Sequence, residues 1–238
     1  MVNAGNFFNL LLQTFAVANK CESRDAMHIP DGFLNTATVA TTYIVSTGGV
    51  ANAVRIANKK LGEKHIPMMG ILAAFIFAAQ MLNFPVAGGT SGHVIGAALV
   101  AILLGPWSAV LVMSCVLIAQ SLIFQDGGLL ALGANIFNMG IVAGFAAYYL
   151  YRLNISFLGD SRRGRLGGAF VASWGSVFLA SIACALELAI SGVSPLVVVL
   201  PAMAGVHALI GIGEGLITAA VLSLVMATRA DLLKLQRI

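Results

Sequence analysis

Long apolar runs, broken by short polar or glycine-rich stretches, dominate the chain from residue 37 onward. They lie near 37–57, 67–83, 92–104, 106–125, 131–151, 167–191 and 196–227. A helix needs about 20 apolar residues to cross a bilayer, and most of these runs approach or exceed that length. The pattern predicts an all-α integral membrane protein with about seven transmembrane helices. The third run is short, and Gly105-Pro106 divides it from the fourth. Proline disfavours helical geometry in the residue before it, so this run reads either as a short span or as a re-entrant piece. The last run is long enough to bend near Pro201.

Composition strengthens the membrane reading. Of 238 residues, 59% are hydrophobic and only 9% charged, and the mean hydropathy is +0.95. A soluble domain carries about 25% charged residues. The pI near 9.2 does not point to nucleic acid, because no basic stripe is interleaved with aromatics. It points to topology. Arg55, Lys59, Lys60 and Lys64 fall at the end of the first run and in the first loop; Arg152, Arg162, Arg163 and Arg165 between the fifth and sixth; Arg229, Lys234 and Arg237 in the tail. With seven spans, all eleven lie on one side. The intervening segments 84–91, 126–130 and 192–195 contain no Lys or Arg. The positive-inside rule then predicts an outside N-terminus, a cytoplasmic C-terminus and a multi-pass protein of the plasma (inner) membrane. Cys115 and Cys184 stand singly in apolar runs and, with Cys21, form no CxxC, so they read as packed thiols.

Residues 1–26 do not fit the span pattern. Phe7 to Ala18 is apolar but interrupted by Asn9 and Gln13, and too short to span. Ala16-Val17-Ala18 resembles a signal-peptidase site, yet no basic residue precedes the run. The stretch reads as a start placed too early, a segment removed near Ala26, or a retained extension. Residues 27–238 read as one polytopic membrane domain.

Met27 matters because His28 follows it. In a mature chain beginning at Met27, the α-amine, the His28 amide and the His28 imidazole are three successive nitrogens. They close a five-membered and then a six-membered ring around one ion, which suits square-planar Ni(II), Cu(II) or Co(II). His93 ends Gly88-Gly89-Thr90-Ser91-Gly92-His93 on the same predicted face and can supply a fourth nitrogen. His65 sits in the basic first loop and reads as a solvated residue. His207 and Glu214 share a face of the last run, and Glu187 lies in the sixth; intramembrane ionisable groups usually face a partner or a cavity. Gln80, Asn83, Gln120, Gln125, Asn135 and Asn138 cluster towards the outer ends of the second, fourth and fifth runs. They serve either to fix ligands or to join helices. Small residues recur at four-residue spacing: Gly49, Ala53 and Ala57; Gly140 and Gly144; Gly168 and Ala172; Gly211 and Gly215. Such pairs permit close helix approach, and the first set is a candidate contact for another membrane subunit.

A competing constellation is Gly89-Thr90-Ser91-Gly92 with His207, which resembles the GxSG and helical histidine of rhomboid intramembrane proteases. The match is poor, because Ile210 and Glu214 stand where the helical motif has glycines. A stand-alone cation channel is a further alternative. No HExxH and no Walker A sequence occurs.

His28-Ile29-Pro30-Asp31-Gly32-Phe33-Leu34, Asn83-Phe84-Pro85-Val86, Gly88 to His93, Phe124-Gln125-Asp126-Gly127-Gly128 and Gly133 to Gly140 resemble one known family over about residues 27–228. It is the CbiM/NikM family, the substrate-binding component of cobalt and nickel energy-coupling-factor transporters. The resemblance implies a non-catalytic, seven-span subunit of an ATP-driven importer whose N-terminus threads into its outer face. It implies metal held by the amine of Met27, the amide and imidazole of His28, and His93. Transported Co(II) or Ni(II) is expected, with no permanent cofactor. Expected partners are a transmembrane coupling subunit, two cytoplasmic ATPases and often a small accessory membrane subunit. The stretch 1–26 departs from the family, because it would block the amine.

Overall fold

The computed structural model describes residues 28–60, 62, 65–81, 83–86 and 90–229, with the backbone alone at 83–86, 90 and 91. Met27 and residues 1–26 lie outside the described residues, as do Lys64, Lys234 and Arg237.

Among the described residues, the chain forms helices and one two-stranded ribbon. The helices are α1 (Thr36–Lys60), α2 (His65–Gln80), α3 (Ala97–Leu104), α4 (Pro106–Ile123), α5 (Leu132–Leu158), α6 (Arg162–Ile190) and α7 (Leu196–Thr228). Each apolar run became one helix. Four of these, α4 to α7, are long and apolar enough to cross a membrane. Their outward faces carry large exposed apolar side chains such as Leu122, Val197 and Leu209, as lipid contact requires. At eight residues, α3 is about 12 Å long, less than half the hydrocarbon thickness. All eight of its residues are buried, so it is a short core helix rather than a full span. Helix α7 runs continuously through Pro201.

The stretch read as a glycine-rich loop is the antiparallel ribbon β1 (Asn83–Val86) and β2 (Thr90–His93), with Asn83 opposite His93 and Val86 opposite Thr90. This ribbon departs from a purely helical expectation. Phe84 and Val86 on one strand and Thr90 on the other are residue types that favour strands.

Small residues bring the helices together. A Cβ on Gly215 would stand 2.7 Å from the Phe170 ring, and one on Gly144 3.1 Å from Ala109. These positions close α7 on α6 and α5 on α4. The first small-residue set does the same work. Ala53 is fully buried, and a Cβ on Gly49 would meet the Ile141 side chain at 2.6 Å. Gly49 thus meets α5 of the same chain, and Ala53 is closed off from solvent.

Two ends of the bundle differ in chemistry. Arg162 donates to Ser223 Oγ (3.1 Å), joining the start of α6 to the end of α7, and Lys60 and Arg152 line one cavity. The described basic residues at the helix ends thus collect at one end. At the other, Asn35 donates to Ile190 O (3.1 Å), joining the start of α1 to the end of α6; His28 docks here. His65 is buried at the basic end, with Nδ1 accepting from Gly62 N–H (3.1 Å). It organises the start of α2 and is not the solvated side chain expected. Cys184 is buried as expected, whereas Cys115 is exposed on the outer surface of α4.

Candidate metal centre

His28 reaches the interior because its neighbours are fastened to the turn before α5. Asn135 clamps Ile29: its Oδ1 accepts from Ile29 N–H (3.1 Å), and its Nδ2 donates to Ile29 O (3.3 Å). Gly128 N–H donates to the same carbonyl (3.0 Å). Two residues on, the Asp31 carboxylate accepts from the backbone N–H groups of Leu129, Leu130 and Ala131 (3.1, 2.7 and 3.3 Å). These are unpaired donors ahead of α5, where negative charge is favourable. Gly127 has φ +86°, and a Cβ there would lie 2.8 Å from His28 Cβ. Only glycine accepts both that conformation and that proximity.

His93 is fixed from three helices. Gln120 Nε2 donates to Gln80 Oε1 (2.9 Å), and Gln80 Nε2 donates to Ile95 O (2.8 Å). Glu214 accepts from Ile95 N–H (2.6 Å) and Gly96 N–H (2.9 Å). Both backbone groups of Ile95 are thus satisfied by side chains of α2 and α7. Gly96 has φ +80°, and a Cβ there would meet Ile76 at 2.8 Å, which explains why glycine leads into α3.

The two imidazoles meet. Their ring centroids are 4.9 Å apart with planes at 61°, and both residues are buried, at 3% and 5% exposure. His93 Nδ1 faces Val94 O at 2.9 Å, so Nε2 is the nitrogen left for a ligand. Such backbone anchoring of one ring nitrogen is how proteins orient a metal-binding histidine. His93 lies in β2, between α2 and α3. Burial first, and then His28 beside it, push its imidazole down to about 3. The neutral ring is the form that binds metal. His28 Nδ1 stands 3.4 Å from Asp126 Oδ1, beyond the usual 2.7–3.2 Å range. His28 Nε2 is buried without a hydrogen-bond partner among the described residues.

Beneath the rings is a cavity of about 40 Å³, lined also by Asn135, Asn138, Met139, Cys184, Met203 and His207. Asn138 Nδ2 donates to Glu187 Oε2 (2.7 Å), while Asn138 Oδ1 and Glu187 Oε1 remain unpartnered. Asn138 sits in a π-helical stretch, Ile136–Val142, a distortion common at functional sites. His207 lines the cavity with Nδ1 facing Met203 O (2.8 Å). Among the described residues no group of three His, Cys or carboxylate side chains is arranged to hold a metal. His28 and His93 are thus a pair, and a four-coordinate ion needs donors beyond side chains.

The sequence profile described as the cobalt uptake substrate-specific transmembrane region, CbiM, matches residues 28–232. The chain belongs to the CbiM family. A putative fused nickel transport protein NikMN from Archaeoglobus fulgidus is 44% identical over 211 residues, covering 87% of this chain and 68% of that protein. The cobalt transport protein CbiM of Sorangium cellulosum is 31% identical over 220 residues, covering 87% of this chain and 94% of its own. A crystal structure of a truncated transition metal transporter superposes with a TM-score of 0.77 at 36% identity, covering 84% of this chain and 99% of that one. The chain is a multi-pass membrane protein of a metal-transport family, and the rhomboid and channel alternatives are not favoured.

Of the expected ligands, His28 and His93 are brought together from segments 65 residues apart in sequence, and Met27 lies outside the described residues. The supporting roles of Asn135, Gln80, Gln120 and Glu214 were visible in sequence only as polar groups in apolar runs. Asp31 and Asp126 were quoted within motifs but given no task. Two lone carboxylates ahead of an apolar run carry a weak signal, namely that of a helix N-terminal cap.

Proposed function

We propose that this CbiM-family chain is the capture subunit of an ATP-driven importer of Co(II) or Ni(II). The observation that carries the reading is the buried contact of His28 and His93, at the end of the bundle opposite the basic residues. By the positive-inside rule the histidine end faces outward. The mature chain begins at Met27. Its α-amine, the His28 amide nitrogen, His28 Nδ1 and His93 Nε2 form a square of four nitrogens around the ion. Nδ1 is the ring nitrogen that closes a six-membered chelate with the amide, and its 3.4 Å approach to Asp126 is loose enough to yield. Asp126 then leaves a negative charge beside the divalent ion. A deprotonated amide favours d-block ions of strong ligand field over Mg(II) or Ca(II), which take oxygen ligands.

The segment from His28 to Asp31 closes the site from outside. Its docking on Asn135 and the turn before α5 orders donors that are disordered in an unfolded chain, so metal binding and docking reinforce each other. The sequence contains no Walker A motif, so energy comes from partners: two cytoplasmic ATPases acting through a transmembrane coupling subunit, often with a small accessory membrane subunit.

Metal binding by purified protein tests the reading. Wild type and Ser91→Ala bind Ni(II) or Co(II) at one ion per chain, and His28→Ala does not. Loss with Ser91→Ala and retention with His28→Ala would overturn the assignment.

A further inference from the structure

A second cavity, of about 320 Å³, lies at the basic end of the bundle, far from His28 and His93. Its position follows from the helices: Lys60 ends α1, 24 residues beyond Thr36, or about 36 Å along the axis. The walls come from Ala53, Ala57 and Lys60 of α1, Trp107 at the start of α4, and Tyr148 and Arg152 of α5. The volume is large against about 30 Å³ for one water. No carboxylate lines it among the described residues.

Its chemistry is graded. Ala53 at the floor is fully buried. Trp107 packs edge-on against Phe145, with centroids 4.8 Å apart. Arg152 is held in place: its Nη1 donates to Tyr148 Oη (3.1 Å), and its guanidinium lies 5.6 Å from the centre of the Tyr148 ring. Its other guanidinium donors make no hydrogen bond among the described residues. Lys60 is exposed and forms no ion pair among the described residues. Ile56 of α1 and Phe145 and Tyr149 of α5 add apolar surface to the same walls, and Tyr149 is exposed. Two cations, an aromatic rim and an adjoining apolar face match a ligand with an anionic head and hydrocarbon tails.

We infer that this groove binds the headgroup phosphate of an anionic glycerophospholipid, with Lys60 and Arg152 on the phosphate and the acyl chains along α1 and α5. The inner leaflet as its source rests on the reading that the basic end faces the cytoplasm, where anionic lipids draw basic groups. Trp and Tyr at headgroup level are the usual interfacial anchors. The bound lipid bridges α1 and α5 where their basic ends would otherwise repel.

Native mass spectrometry of the detergent-purified full chain, titrated with phosphatidylglycerol or phosphatidylcholine, tests this. Wild type retains phosphatidylglycerol with a preference of roughly tenfold or more, as expected of two cations near one phosphate. The double variant Lys60→Gln, Arg152→Gln loses that preference to below twofold. Its Ni(II) affinity stays within twofold of wild type, which shows that it is folded and separates this test from the metal reading. Equal retention of the two lipids, or a preference that survives the double variant, would overturn the proposal. So would displacement by millimolar inorganic phosphate, which would make the groove a free-phosphate site. Loss of the lipid on assembly with other membrane subunits would make it a protein contact instead.

Discussion

Replacing Asn135 by alanine isolates the clamp that holds His28 in place. The substitution removes both hydrogen bonds to Ile29, at 3.1 and 3.3 Å, while Gly128 N–H still serves Ile29 O. Ile29 N–H is then left unpaired at a residue that is 2% exposed. An unsatisfied buried donor costs about 1–3 kcal/mol, and losing one of two bonds to an acceptor adds about 0.5–1.5 kcal/mol. Nearly all of this falls on the docked segment, because the Asn135 side chain makes no other hydrogen bond among the described contacts. A penalty of about 2–3 kcal/mol weakens metal binding about 30- to 100-fold, at 1.4 kcal/mol per tenfold. The assay is calorimetric titration of Ni(II) into detergent-purified chain beginning at Met27, with thermal unfolding as a fold control. Asn138→Ala is the comparison. It breaks the bond to Glu187 but touches no backbone of the His28 segment, so it should lower thermal stability while changing Kd less than about threefold. If Asn135→Ala bound Ni(II) within twofold of wild type, the clamp would not be what positions the ligand.

Other outcomes follow from the same geometry. His28→Ala and His93→Ala each abolish high-affinity uptake of Co(II) or Ni(II) in whole cells with the subunit still present in membranes, whereas His65→Ala, at the other end of the bundle, lowers stability and leaves Kd unchanged. Glu214→Ala strips the acceptor from Ile95 and Gly96; it costs about 3 kcal/mol or more, read as a lower unfolding temperature, and weakens metal binding by freeing His93. Gly127→Ala forces a Cβ to within 2.8 Å of His28 Cβ at φ +86° and weakens binding at least tenfold by calorimetry. Acid also weakens binding. His93 is held neutral down to about 3, so acidification from pH 7 to 5 does not protonate it, and the loss over that window reports protons returning to the other ligand nitrogens. A Kd independent of pH over that window would contradict amide ligation.

The helices were legible because each is a long apolar run, and hydrophobic length is a strong local signal in a chain bound for lipid. Even α3 was visible as an anomaly, since Gly105-Pro106 cuts it short. The ribbon Asn83–His93 was not legible, because eleven residues rich in glycine give no periodicity that separates a hairpin from a loop. His28 and His93 were recognisable from the chemistry of an N-terminal chelate, together with two segments placed on one face by charge. The clamps were not, because Asn135 and Glu214 act on the backbone of distant segments, and no spacing rule links position 135 to 29 or 214 to 95. The small-residue set on α1 is ambiguous for a related reason. A run such as Gly49, Ala53 and Ala57 says that something approaches closely without saying what, and at Gly49 it is Ile141 of the same chain.

The central claim is that the free amine of Met27 is one of four nitrogens on the ion. The most direct measurement compares Ni(II) binding by two purified chains, one starting with the free amine of Met27 and one with that amine acetylated. Titration is followed by the visible absorption of square-planar Ni(II). Acetylation removes the amine as a donor and with it the five-membered ring, so the account predicts tight stoichiometric binding with a square-planar band for the first chain. For the second it predicts no such band and an affinity at least 100-fold lower, a difference of about 2.8 kcal/mol. Equal affinity and the same spectrum in both chains would contradict the amine's role and leave His28 and His93 to bind the ion in another way.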